Sequence, residues 1–179
     1  MEVILALAVT AVLLCVWVSW TAQRISRLHG RTSTARTSLD AQLVRRAAAL
    51  RALADGSADT LDPGLADRLR TLAGASLDAD PSTREAAEND LSRALHDIPP
   101  DVDGALLGDL ADAARRVAFA RRFYNDAVRD TVSLRRGRLP RLFRLGGGRP
   151  LPAFFEIDDA APKVLGDGHR PRAAAPVPE

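Results

Sequence analysis

The pattern of apolar and polar positions changes once, sharply, near residue 23. Val3 and Ala22 bound a run of twenty residues without a charge. As a helix rising about 1.5 Å per residue, that run is about 30 Å long, the thickness of a bilayer's hydrocarbon core. Trp17 and Trp20 stand in its last turns, where indole rings favour the lipid–water boundary, and Arg24 and Arg27 follow directly. A cleaved signal peptide would want a basic start, a shorter apolar region and a small-residue exit. Here the start is Met-Glu and the exit is bulky, so the pattern predicts a retained single span.

Beyond the span the apolar spacing is helical. After a stretch rich in Ser and Thr, GRTSTARTS, Leu39, Leu43, Ala47, Leu50 and Leu53 form the stripe of a helix over about 35–54. Gly30 weakens the join to the span but does not forbid a continuous helix. DGSADTLDPG reads as a turn, and a second helix over 65–77 rests on Leu65, Leu69, Leu72 and Ala73. A third, ending near His96 and showing Leu91, Ala94 and Leu95, is expected to have Asp80 as its cap and Pro81 at its first position. After the loop HDIPPDVDG, a fourth helix places Leu106, Leu110, Ala113, Val117, Ala120, Tyr124, Ala127 and Thr131 at alternating steps of four and three. Those are heptad seam positions, with Phe119, Phe123 and Val128 expected to widen the stripe. From Arg135 the helical pattern fails: Pro140, three consecutive glycines and two more prolines interrupt alternating Arg, Leu and Phe. Phe143, Phe154 and Phe155 are expected to lie against the bundle or a partner.

The fold class is therefore all-α: one N-terminal transmembrane helix followed by an antiparallel bundle of about four helices. The expected organisation is an anchor over 1–23, a bundle over 24–136, a basic Gly/Pro-rich segment packed on it over 137–165, and a disordered tail over 166–179.

Charge adds orientation. Residues 24–51 carry a net +6, residues 53–112 a net −10 and residues 115–149 a net +9, within a formal total of only +2. Such blocks suit an acidic middle packed between basic flanks, although solvated faces of mixed sign explain them equally well. Glu2 lies before the span and four arginines shortly after it, which predicts the N-terminus outside and the C-terminal domain in the cytoplasm of a single-pass cell-membrane protein.

Candidate chemistry changes the picture little. His29, His96 and His169 are scattered, Cys15 is the single cysteine, and GGGRP lacks the Lys-Ser/Thr of a phosphate loop. No Gly-x-Ser-x-Gly elbow is present. The expectation is a non-enzymatic protein with no cofactor and no metal. No nucleic-acid motif accompanies the basic run, which argues against nucleic acid as a partner. The expected partners are the bilayer, through residues 3–22, and an unidentified protein; self-association stays open. In the stretch RRVAFARRFYNDAVRD the Tyr and Ala are seam and most charges are surface. What that leaves over is Arg121, Arg122, Tyr124 and Asn125, the first candidate contact residues. Arg138, Arg141 and Arg144, set among Leu and Phe, are the second group and suit an anionic lipid surface.

Several blocks together resemble the LemA family of bacterial membrane-anchored proteins. They are SLDAQLVRR at 38–46, RVAFARRFYNDAVRD at 116–130, LP at 139–140, AFFE at 153–156 and APKV at 161–164. Arg36 stands where the family pattern has a tryptophan, AAALR replaces its His-Asp-Leu-Ile-Pro, and its Gly-Tyr-Ala and His-Glu are absent. The resemblance implies a helical bundle behind one span with a short N-terminus outside. It implies architecture and location but no reaction; the role expected here is a scaffold or interaction component at the cytoplasmic membrane face, with anionic-lipid binding or envelope organisation through the basic 135–149 segment as the alternative.

Overall fold

A computed structural model describes residues 1–137, 150–159 and 165 of the chain. Among these residues are four α-helices and no strand: α1 (Glu2–Gly56), α2 (Pro63–Asp78), α3 (Arg84–Ala94) and α4 (Gly104–Arg135). A 3₁₀ turn over Leu95–Asp97 extends α3. The fold is an all-α bundle, as its periodicity predicts.

The span and the first bundle helix are one helix of 55 residues. The Ser/Thr stretch, expected to precede the bundle helix, lies inside it. Its hydroxyls bond back one turn instead of competing for the backbone: Thr32 Oγ1 donates to the Leu28 carbonyl at 3.0 Å and Thr37 Oγ1 to that of Ser33 at 3.3 Å. Gly30 is exposed, and a single helix-interior glycine costs about 1 kcal/mol, too little to break a helix held by packing on either side.

By compactness the chain divides into two units, with two of the three dividing points inside α1 and α4 and the third after Phe155. The first comprises Met1–Leu39 and Ala120–Phe155. Within it α1 and α4 run antiparallel, since Arg31 pairs with Asp130 while Arg36, five residues further on, lies over Tyr124, six residues earlier. Ile25, Ala35 and Leu39 of α1 are buried, as are Ala120, Ala127 and Val128 of α4. Between them Thr32 and Thr131 share a hydroxyl–hydroxyl bond of 3.0 Å, and both hydroxyls reach the Ala127 carbonyl. Small residues at these positions let two backbones approach and leave the threonines no water, so each hydroxyl is satisfied within the pair.

The second unit comprises Asp40–Phe119 and Glu156–Glu179. Its core joins Leu50 and Leu53 of α1, Leu69 and Ala73 of α2, Leu91 and Leu95 of α3, and Leu107 and Leu110 of α4. Leu165 closes it. Full burial of each leucine contributes about 1.5–3 kcal/mol before chain entropy is counted. Asp62 caps α2 ahead of Pro63, its carboxylate accepting from the amides of Gly64 and Leu65. Asp103 caps α4 through the amides of Ala105 and Leu106. Arg70 of α2 reaches the end of α1, bonding the Ala54 carbonyl at 3.0 Å and the Asp55 carboxylate at 2.6 Å.

Two expectations are corrected. Asp80 does not cap α3 with Pro81 at its first position; residues 81–83 form a turn and α3 starts at Arg84. Asp80 caps that turn, accepting from the Ser82 hydroxyl and the Ser82 and Thr83 amides. The Ser82 hydroxyl first, then these amides, hold its carboxyl below the usual carboxylate range. On α4 the seam residues are buried as expected from Leu110 onward, and Val128 with them. Phe119, however, is 74% exposed and Phe123 45%. With Val117 and Tyr124 at a positions and Ala120 at d, Phe119 falls at c, facing outward, and Phe123 at the flanking g position.

Candidate functional site

The residues that helix patterning left over on α4 have an internal explanation in the first unit. Tyr124 is a buried seam residue whose hydroxyl donates to the Ala153 carbonyl at 2.8 Å. Asn125, one position round the helix, donates from Nδ2 to the Phe155 carbonyl at 3.0 Å and accepts at Oδ1 from the Phe155 amide at 2.9 Å. One side-chain amide thus pairs both backbone groups of a single residue, as a neighbouring strand would. This pairing, and not helix propensity, explains an asparagine here. Phe155 is buried, and Arg36 lies over its ring at 5.0 Å and over that of Tyr124 at 5.6 Å. The Arg36 guanidinium is thus within cation–π range of both rings. Tyr124 and Asn125 therefore hold the chain's own 153–155 segment.

The other expected contact residues fall differently. Arg121 is half-buried and Arg122 exposed on α4. Arg138, Arg141 and Arg144 lie outside the described residues, as do Phe143 and the tail over 166–179. Phe154 is exposed beside the buried Phe155. In the second unit, the extended stretch after Phe155 is held from α3. The Glu156 amide donates to Glu85 Oε1 at 3.0 Å, the Asp158 amide to Asn89 Oδ1 at 2.7 Å, and Ile157 between them is buried.

The second unit also contains a charged cluster that sequence patterning missed. Arg46, 2% exposed, places Nη2 2.5 Å from Oε2 of the fully buried Glu88 and Nη1 3.2 Å from the Ser92 hydroxyl. Oε1 of Glu88 accepts from the Ser76 hydroxyl at 2.7 Å and lies 3.3 Å from Nε of Arg84. Both carboxylate oxygens are engaged, while Nε of Arg46 has no hydrogen-bond partner among the described residues. Chemically this is a pin: one carboxylate from α3 ties α1 and α2 in a fixed register. A signal for it existed. The leucines of the α1 stripe jump seven residues from Leu43 to Leu50, and Arg46, beside Ala47, stands at the 4-3 seam position between them; Glu88 stands three residues before Leu91 on the apolar face of α3. The pair also joins the first basic block to the acidic block. Other ion pairs, such as Arg93–Asp90, Arg115–Asp112 and Arg129–Asp126, link neighbours on one helix.

Residues 2–16 of α1 are exposed throughout, including Val3, Ile4, Leu5, Leu7 and Leu13. This is one helix long and apolar enough to cross a membrane. Within the span the threonine hydroxyls are satisfied inside the helix, Thr10 donating to the Ala6 carbonyl and Thr21 to that of Trp17. Among the described residues no group of three His, Cys, Asp or Glu side chains is arranged to hold a metal.

Compared with models of known protein families, with curated proteins and with solved structures, the chain matches none.

Proposed function

We propose that this chain is a membrane-anchored scaffold of the LemA type, a non-enzymatic interaction protein with its N-terminus outside and its bundle at the cytoplasmic face. The observation that carries this is α1 itself. Its residues 2–16 are all exposed, with valine, leucine and isoleucine among them, which water does not tolerate in a patch this long, and the same helix then contributes to the core of the bundle. An anchor continuous in one helix with the folded part of the chain keeps that part at the membrane, which suits positioning more than turnover. The LemA resemblance is supported by the meeting of two of its blocks: Tyr124 and Asn125 of one bind the backbone of Ala153 and Phe155 of the other.

The test is proximity labelling in cells, with the labelling enzyme fused after Glu179. The expected result is cytoplasmic labelled proteins, a few of them recurring as partners. Labelling confined to the outside overturns the orientation and the cytoplasmic role together.

A further inference from the structure

Just past the span, the first unit contains a cavity of about 500 Å³ lined by Arg24, Leu28 and Arg31 of α1 and by Asp130, Ser133 and Leu134 of α4. Nothing in the anchor-and-scaffold role requires it. Its lining is ordered by height. Taking Ala22 as the end of the hydrocarbon run, a helix rise of about 1.5 Å per residue places Arg24 about 3 Å beyond it, Leu28 about 9 Å and Arg31 about 13 Å. The headgroup layer of one leaflet is about 5–8 Å deep. Arg24 therefore stands within that layer, and the cavity rises from it toward the aqueous side.

The side chains grade in the same direction. Arg24 is exposed and lies 5.6 Å over the Trp20 ring, an aromatic shelf at the interface that fixes the guanidinium without occupying its donors. Leu28 and Leu134, both half-buried, form apolar walls. At the upper end Arg31 and Asp130 are held 3.8 Å apart, a loose and exposed pair, and Ser133, three residues further along α4, also lines the cavity. The bottom thus presents a cation to an anion, and the top offers donors and acceptors of both signs, which suits hydroxyl groups.

We propose that this cavity binds the headgroup of an anionic glycerophospholipid, the phosphodiester against Arg24 and a hydroxylated headgroup reaching Ser133, Asp130 and Arg31. The site rests on α1 crossing the bilayer. It is distinct from the basic run over 135–149, because its cation comes from the span's own exit.

The experiment uses the full-length chain in a non-ionic detergent, titrated with phosphatidylglycerol, phosphatidylcholine, glycerol 3-phosphate or inorganic phosphate. Bound lipid is counted by intact-complex mass spectrometry. The expected result is preferential retention of phosphatidylglycerol, reduced about fivefold or more by Arg24→Gln, the factor for one base near an anionic leaflet. Arg27→Gln, exposed on the same helix but outside the cavity, leaves retention unchanged. Circular dichroism of both variants checks that the fold is kept, and Ser133→Ala serves as a second, uncharged probe. Equal retention of the two lipids overturns the proposal, as does an equal loss from Arg24→Gln and Arg27→Gln, which means diffuse attraction. Glycerol 3-phosphate or phosphate competing at the same concentrations as the lipid assigns the site to a soluble phosphate and also overturns it. Alkaline carbonate extraction of membranes tests the anchor separately: release of the chain defeats the spanning role whatever the lipid titration shows.

Discussion

Glu88→Gln is the most informative single change in this molecule. It keeps the shape of the side chain and an oxygen for the Ser76 hydroxyl, and removes only the charge facing Arg46. Arg46 is 2% exposed and its Nε already lacks a partner among the described residues, so the guanidinium cannot turn to water for compensation. Arg84, close on the other oxygen, loses its counter-ion too. Breaking a buried pair from one side costs about 3–5 kcal/mol, against about 5–15 kcal/mol for a whole domain. For a cooperative unit of roughly 60–100 residues each kcal/mol is about 4–8 °C, so the bundle's midpoint should fall by at least about 12 °C. The assay is thermal unfolding followed at 222 nm, on the full chain in detergent, with urea titration to check that the slope is unchanged. The companion is the double replacement Arg46→Met with Glu88→Met, which removes both charges and fills the space. It is expected to recover most of the loss, because pairing in the interior barely offsets two desolvations. A Glu88→Gln cost below about 1 kcal/mol would refute the reasoning, since that is the value of a pair that water reaches.

Three further outcomes are expected. Asn125→Ala leaves the Phe155 amide and carbonyl without their partner and should cost about 1–3 kcal/mol, with hydrogen exchange at the Phe155 amide rising while that of the α4 core stays protected. Gly30→Ala meets nothing within 4 Å of the added carbon and should stabilise the continuous helix by about 0.5–1 kcal/mol, whereas Gly30→Pro should separate anchor from bundle, read by loss of helical signal. Asp80, whose native carboxyl is held low chiefly by the Ser82 hydroxyl, contributes stability that is full above its unfolded value of about 3.9 and is lost as pH falls through the lower native value. The melting-temperature difference between the wild type and Asp80→Leu should therefore shrink as pH is lowered from 5 toward 2; a constant difference rules out the carboxylate as the cause.

Much of the architecture is legible along the chain because helical periodicity is local. The uncharged run over 3–22, the 4-3 seam of α4 from Leu110 to Thr131 and the stripe of Leu69 and Ala73 on α2 each need only a few neighbouring residues to be recognised. The same local rule misplaced Phe119 and Phe123, where hydrophobicity was taken for burial although their c and g positions turn them outward.

What only the tertiary structure decided are the pairings of residues far apart in sequence. Arg45 and Arg46 are adjacent and identical in type, yet Arg45 is exposed and Arg46 buried, because Glu88, 42 residues away, meets the seam position and not its neighbour. Asn125 stands out on α4 until Phe155, 30 residues on, arrives with a backbone amide and carbonyl to match it. Arg24 and Arg31 are simply bases after a span until α4 returns antiparallel and makes them two sides of a cavity with Asp130 and Ser133. The physical reason is common to all three. A side chain's periodicity states which face it occupies, but the free energy of a polar group depends on the partner that desolvates and satisfies it, and that partner is supplied by the fold.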